Sequence, residues 1–201
     1  MFIELHMLQN FAPANLNRDD TNNPKDCEFG GVRRARISSQ CIKRAIREEP
    51  VFAKTTSVDN GTRTRYLARF LTSKLAEAGK PEEISPKVAE AFAAKFVGKL
   101  DKSGRTDVLI FLSAEEKQKI VDVLLENWDE VQDEEYDFKP ITNNLEKATR
   151  KRTSAPDIAL FGRMLANNPR LNLDAACQVA HAISTHRVSM EMDFFTAIDD
   201  L

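Results

Sequence analysis

Val32-Arg33-Arg34-Ala35-Arg36-Ile37-Ser38-Ser39-Gln40-Cys41-Ile42-Lys43-Arg44-Ala45-Ile46-Arg47 is the stretch on which the reading of this chain turns. Arg34-Ala35-Arg36-Ile37 reads as a short extended piece. After it, Ser38 and Ser39 can cap a helix whose apolar stripe is Ile42, Ala45 and Ile46, and Pro50 ends it. The stretch holds six cations (Arg33, Arg34, Arg36, Lys43, Arg44, Arg47) and no carboxylate. In an extended segment side chains alternate, so Arg34 and Arg36 share a side. The helix start adds free N–H groups and a positive dipole end beside those arginines. Lys43 and Arg47 lie one turn apart, about 6 Å along the axis, comparable to one nucleotide step. A phosphate track is the ligand this arrangement suits. The bland alternative is a solvated basic helix face.

Working outward, residues 2–9, FIELHMLQ, alternate as a strand does, with Ile3, Leu5 and Met7 on one face. Residues 10–37 lack a helical period and are rich in Asn, Asp, Pro and Gly, which predicts a long structured loop ending in the extended piece. Residues 62–78 are predicted as a helix with Leu67, Phe70, Leu71 and Leu75 inward. Ser85-Pro86 starts another, continued by Val88, Phe92 and Phe96. Residues 107–112 fit a short strand or a helix edge. Ser113-x-x-Glu116 is a capping box before a helix holding Ile120, Val121, Leu124 and Leu125. The run PDIALF at 156–161 reads as a buried strand ending at Gly162, and 175–188 suits a strand better than a helix. The order predicts an α+β fold with a helical insertion of roughly a hundred residues.

The chain has 201 residues, 42% hydrophobic and 30% charged, which fits a globular protein rather than global disorder. Its net charge of −2 hides segregation. Eight carboxylates and no Lys or Arg lie between Asp122 and Asp137, followed by Lys147, Arg150, Lys151 and Arg152. Cys27, Cys41 and Cys177 are odd in number and widely spaced, so a disulfide framework is not expected and a reducing cytoplasm fits. The N-terminal segment lacks the basic region of a signal peptide. No uncharged apolar run is long enough to span a bilayer.

Three other segments carry possible chemistry. Asn17-Arg18-Asp19-Asp20 has adjacent carboxylates that can hold a divalent metal, as in a nuclease; the competing reading is turn formation, with Asp19 or Asp20 paired to Arg18. Cys177-x3-His181-x4-His186 has zinc-ligand residue types, but neither strand nor helix geometry aligns all three. In Gly162-Arg163-Met164 a flexible apolar side chain beside a cation can sit against an unstacked base, or simply pack in a turn. The sequence has no Walker loop, dinucleotide fingerprint or Gly-x-Ser-x-Gly elbow.

Several segments together resemble a known family. Leu16-Asn17-Arg18-Asp19-Asp20, Phe29-Gly30-Gly31, Arg36-Ile37-Ser38-Ser39-Gln40 and Lys43-Arg44 resemble the start of the CasC backbone subunit of the type I-E CRISPR surveillance complex, Cascade. The resemblance recurs at Asp157-Ile158-Ala159-Leu160 with Gly162-Arg163-Met164, and at Ala180-His181-Ala182-Ile183 with Thr185-His186. It recurs again at Asp193-x-Phe195-Thr196-Ala197 with Asp199-Asp200-Leu201. Residues 51–154 match loosely, apart from Arg63-Thr64 and Leu67-Ala68.

The resemblance implies an RRM-like (ferredoxin-like) palm, incomplete here, with a large helical finger insertion. It implies palm at 1–50, finger at 51–154, palm again at 155–188 and the start of a thumb at 189–201. Family members are longer, so the chain corresponds to an N-terminal portion, and a sheet lacking strands leaves an unpaired edge. The implied function is binding of CRISPR RNA, side by side with other copies and other Cascade subunits, with guide kinking and pairing to target DNA. No catalysis, cofactor, metal or membrane is implied. Carried over by residue, Arg18, Lys25, Ser38, Gln40, Lys43, Arg44 and Arg47 fall on the guide-contacting palm, and Met164 falls against the guide near a kink. With the basic stretch, the expected RNA-binding set is Arg18, Lys25, Arg33, Arg34, Arg36, Ser38, Gln40, Lys43, Arg44, Arg47, Arg163 and Met164. The rival readings are a metal-dependent ribonuclease using Asp19 or Asp20, and a protein-interaction module docking through the acidic block.

Overall fold

A computed structural model of the chain describes residues 1–12, 14–149, 153–165 and 167–189. In chain order the elements are β1 (Asp26–Phe29), β2 (Val32–Ile37), α1 (Ser39–Glu48), α2 (Pro50–Thr56), β3 (Thr62–Thr64), α3 (Leu67–Glu77), α4 (Ser85–Phe96) and β4 (Ile110–Leu112). There follow α5 (Ala114–Glu126), α6 (Trp128–Val131), α7 (Lys139–Thr149), α8 (Pro156–Phe161), a 3-10 turn at Pro169–Leu171, and β5 (Ala182–Ile183). The fold is mixed α+β, with small antiparallel sheets and many helices. Two compact units divide the chain: Met1–Ala45 with Val179–Leu201, and Ile46–Gln178.

The first unit is built on a three-stranded antiparallel sheet, in the order β1-β2-β5. Gly30 and Gly31 join β1 to β2 with φ of 66° and 73°. Positive φ at both turn positions is what a tight two-residue hairpin needs and what glycine adopts without steric cost. Cys27 stands opposite Arg34, and Ile183 of β5 opposite Arg36. The Ser38 hydroxyl accepts from the Cys41 amide at 3.3 Å, so the predicted cap starts α1. The predicted apolar stripe is not buried, since Ile46 is 37% exposed and α1 has no fully buried residue.

Residues 2–9 are not a strand: none is paired, and Phe2, Ile3, Leu5, Met7 and Leu8 are all exposed. Alternation marks a strand only where a neighbour supplies the ladder, because an unpaired edge leaves its amides to water. The predicted strand at 175–188 shrinks to Ala182–Ile183.

The second unit packs α3, α4, α5 and α7 around Leu67, Leu71, Leu75, Phe92, Ile120, Leu124 and Leu145. Helix α3 starts later than predicted, because Thr62–Thr64 instead pairs with β4. Its β-branched threonines suit that ribbon. The capping box forms as predicted: Ser113 Oγ accepts from Glu116 N at 3.1 Å, and Glu116 Oε2 accepts from Ser113 N at 2.8 Å. The predicted strand 156–161 is helix α8. Pro156 sits in its first turn and Gly162, at φ 75°, stops it. A short apolar run does not separate a buried strand from a helical turn by periodicity.

A second small core holds Phe111, Ala155 and Ile158, and the Arg47–Asp157 ion pair lies beside it. Asp157, 0% exposed, accepts from Arg47 Nε at 2.7 Å, from Gly61 N at 2.8 Å and from its own helix's Ile158 N at 3.0 Å. Arg47 also lies over the Phe111 ring at 4.6 Å, with Arg63 at 4.7 Å from the same centroid. Gly61 has no room for a side chain, since a Cβ there would stand 2.5 Å from Phe111 Cε2 and 2.8 Å from Ile158 Cδ1. Gly61→Ala is expected to lower stability by about 1–3 kcal/mol through overpacking, read in a urea titration. An unchanged midpoint would show that the two apolar neighbours yield freely.

Candidate nucleic-acid interface

In the first unit, a tight loop at residues 17–25 is stitched to the junction between β2 and α1. Asn17 Oδ1 accepts from Ser38 N at 2.9 Å, Lys25 N donates to Asn17 O at 2.8 Å, and Arg36 N donates to Lys25 O at 3.0 Å. Residues about twenty apart in sequence therefore meet at one place. Arg18, Lys25, Arg36 and the start of α1, which carries Gln40, Lys43 and Arg44, are gathered around these backbone ties. Asn17 was not among the expected site residues, although an Asn in a long loop before a capped helix is a signal for such a tie.

Asp19 serves the loop. Its Oδ1 accepts from the Thr21 hydroxyl at 2.8 Å, from Thr21 N at 2.9 Å and from Asn23 N at 2.8 Å. The Thr21 hydroxyl, with the Asn23 amide next, holds its carboxyl below the usual range. Arg18 donates to Asn22 Oδ1 at 2.8 Å rather than to either carboxylate. Among the described residues no group of three or more His, Cys, Asp or Glu is placed to hold a metal ion.

The strand arginines have partners of their own. Arg33 pairs with Asp26, and that hydrogen bond is the first cause of the lowered Asp26 carboxyl. Arg34 donates to Phe29 O and to Ser184 O, each at 2.9 Å, so it ties the hairpin to the segment after β5. Arg36 is half-buried, and its Nε has no hydrogen-bond partner among the described residues. Ser38, expected to touch RNA, is 4% exposed, with its amide and hydroxyl engaged by Asn17 and Cys41. Its burial suits a cap.

Three expected residues belong to the second unit. Arg47 is held by Asp157, and its Nη2 donates to Gly61 O at 3.3 Å. Arg163, expected on an RNA surface, is 4% exposed. It donates to Glu116 at 2.8 and 3.0 Å, to Leu171 O at 2.8 Å and to Phe111 O at 2.9 Å. The structure thus gives Arg163 an internal partner, because Glu116 of the capping box needs a cation once buried. Met164 is the opposite: it is 86% exposed between Arg163 and Leu165, both 4% exposed. Of the basic run that follows α7, Arg150, Lys151 and Arg152 lie outside the described residues, as does 190–201 with the segment expected to begin a thumb. Among the described residues no helix is long and apolar enough to cross a membrane.

Comparison with known proteins agrees with this α+β arrangement. At 31% identity the chain matches a chain of a CRISPR RNA-guided surveillance complex, pre-nicking, with a TM-score of 0.74 over 93% of this chain and 53% of that one. At 27% identity it matches a chain of a CRISPR RNA-guided surveillance complex, with a TM-score of 0.70 over 88% of this chain and 56% of that one. It therefore spans a little over half the length of these relatives. No curated protein matches it by sequence. A model of the CT1975-like protein family of Cas proteins matches residues 3–201, nearly the whole length, and the chain belongs to that family.

Proposed function

We propose that this chain holds CRISPR RNA as a backbone subunit of a type I-E Cascade complex, gripping and shaping the strand without cutting it. Family membership and the likeness to chains of RNA-guided surveillance complexes support the setting. The observation that carries the grip is the Asn17–Ser38 tie, which gathers a basic loop, a basic strand end and a helix start in one unit. Lys25, Gln40, Lys43 and Arg44 then contact the guide backbone, with Arg18 and Arg36 beside them. Arg33 and Arg34 contribute charge while bracing the hairpin. Residues 1–50 and 155–188 are the palm, 51–154 the finger and 189–201 the start of the thumb, and Met164 of the palm offers its thioether to an unstacked base. Target DNA, further copies and other Cascade subunits are the partners, in the cytoplasm.

Four phosphate contacts give single-stranded RNA binding a log–log salt slope of about −3. Lys43→Ala is expected to cut that slope by about 1. Arg47 is a poor probe of phosphate contact, because its loss also breaks the Asp157 pair. A slope near zero sinks the reading. Magnesium-dependent cleavage of a labelled RNA, lost in Asp19→Ala or Asp20→Ala, would replace it with the ribonuclease. Co-purification of protein partners without RNA would replace it with an interaction module.

A further inference from the structure

Beyond the palm surface, a second basic and aromatic groove lies wholly within the second unit. The inward face of α3 is fixed by Leu67, Leu71 and Leu75, each 0% exposed. Helical spacing then turns Tyr66, Arg69 and Ser73 toward the other side, while Phe70, half-buried and packed against the core as the sequence predicts, borders them. The ribbon strand β3 brings Thr62 and Thr64 to the same place, and α5 brings Lys117, enclosing an open groove of about 400 Å³. Lys117 Nζ donates to Thr62 Oγ1 at 3.0 Å and stands 5.2 Å from the Phe70 ring centroid. Tyr66 leaves 45% of its surface exposed. Arg105, paired with Asp101 at 3.0 Å, lies against the Tyr66 phenol as well: Asp101 first, and Tyr66 after it, push the guanidinium's pKa up.

No carboxylate lines the groove, and Arg69 has no ion-pair partner among the described residues. The nearest acid along the helix, Glu77, is held by Lys74 at 2.6 Å and accepts from the groove's Ser73 at 3.2 Å. Cations flanking an exposed ring form the pattern that receives a base and its phosphate together. A peptide carboxylate would use Arg69 and Lys117 but leave the ring face idle. The hydroxyls of Thr62 and Thr64 line the same groove; each accepts a hydrogen bond within the protein, from Lys117 and from Tyr66 N, and keeps its donor for a ribose 2′-hydroxyl.

We propose that this groove binds one unpaired nucleotide of an RNA strand, with the base on Tyr66 and the phosphate on Arg69 and Lys117. The site uses no residue of the proposed palm grip, so its failure leaves that reading intact.

The test uses the full chain and a thiouridine-labelled single-stranded RNA, cross-linked by light and mapped by mass spectrometry. Adducts are expected at Tyr66 or Lys117. Arg69→Glu, on the solvent side of α3, is expected to cut them about tenfold while adducts in the first unit and the thermal melt stay as they were. Lys43→Ala is expected to do the reverse, so the two sites are told apart. Adducts confined to the first unit would overturn the proposal. So would equal labelling by a DNA strand of the same sequence, which denies the ribose contact. Displacement by polyglutamate as effective as by unlabelled RNA would also overturn it, assigning the groove to an acidic protein.

Discussion

Asp157→Ala is expected to lower the stability of the second unit by about 3–5 kcal/mol, the usual cost of removing one partner of a buried ion pair. The carboxylate is fully buried and accepts three hydrogen bonds, one from Arg47 and two from backbone amides. Its loss strands the Arg47 guanidinium, whose side chain is only 13% exposed, and leaves the Gly61 amide without its acceptor. The melting temperature should fall by about 10 °C. Asp157→Asn separates charge from shape: it keeps one acceptor and removes the ion pair, so an intermediate loss is expected. A change of under about 0.5 kcal/mol in Asp157→Ala, within the range of ordinary surface substitutions, would show that Arg47 and Gly61 are satisfied without it.

That hub also marks where the sequence stops being readable. The capping box at Ser113 and Glu116, the inward leucines of α3 and the cap at Ser38 were legible because each is a pattern within a few residues. The Arg47–Asp157 pair was not, since its members stand 110 residues apart. Arg47 read as one more cation of a basic helix. Its local context gives no sign that a buried carboxylate waits in another segment. The run at 156–161 failed for a related reason. Six residues allow either a strand or a helical turn, and only Pro156 in the first position favoured the helix. Residues 2–9 failed in the opposite direction: the alternation is there, but pairing depends on a neighbour that a local pattern does not reveal. In the candidate site, the cations could be counted from the sequence. Which of them brace the protein depended on contacts such as Arg34 with Ser184.

Arg163 and Met164 put this distinction to its sharpest test, because they are adjacent and their surroundings are opposite. Arg163→Met is expected to cost about 3–5 kcal/mol, since it leaves the Glu116 carboxylate buried without its cation and takes donors from Phe111 O and Leu171 O. The lower end of that range is the better expectation. Arg163 Nη2 has no hydrogen-bond partner among the described residues, so the wild-type pair already carries an unsatisfied donor. Glu116→Gln should cost less, because glutamine preserves the capping box. Met164→Ala should leave stability within about 0.5 kcal/mol, as its side chain lies mostly in solvent. RNA binding should follow the reverse order. At a temperature where Arg163→Met remains folded, its salt slope should equal that of the unchanged protein, because an internal guanidinium releases no counterion from RNA. Met164→Ala should keep the same slope and weaken binding uniformly at every salt concentration, the mark of a lost apolar contact. If Arg163→Met instead flattened the slope with its melt unchanged, Arg163 would be a phosphate ligand and its pairing with Glu116 would have to open when RNA binds.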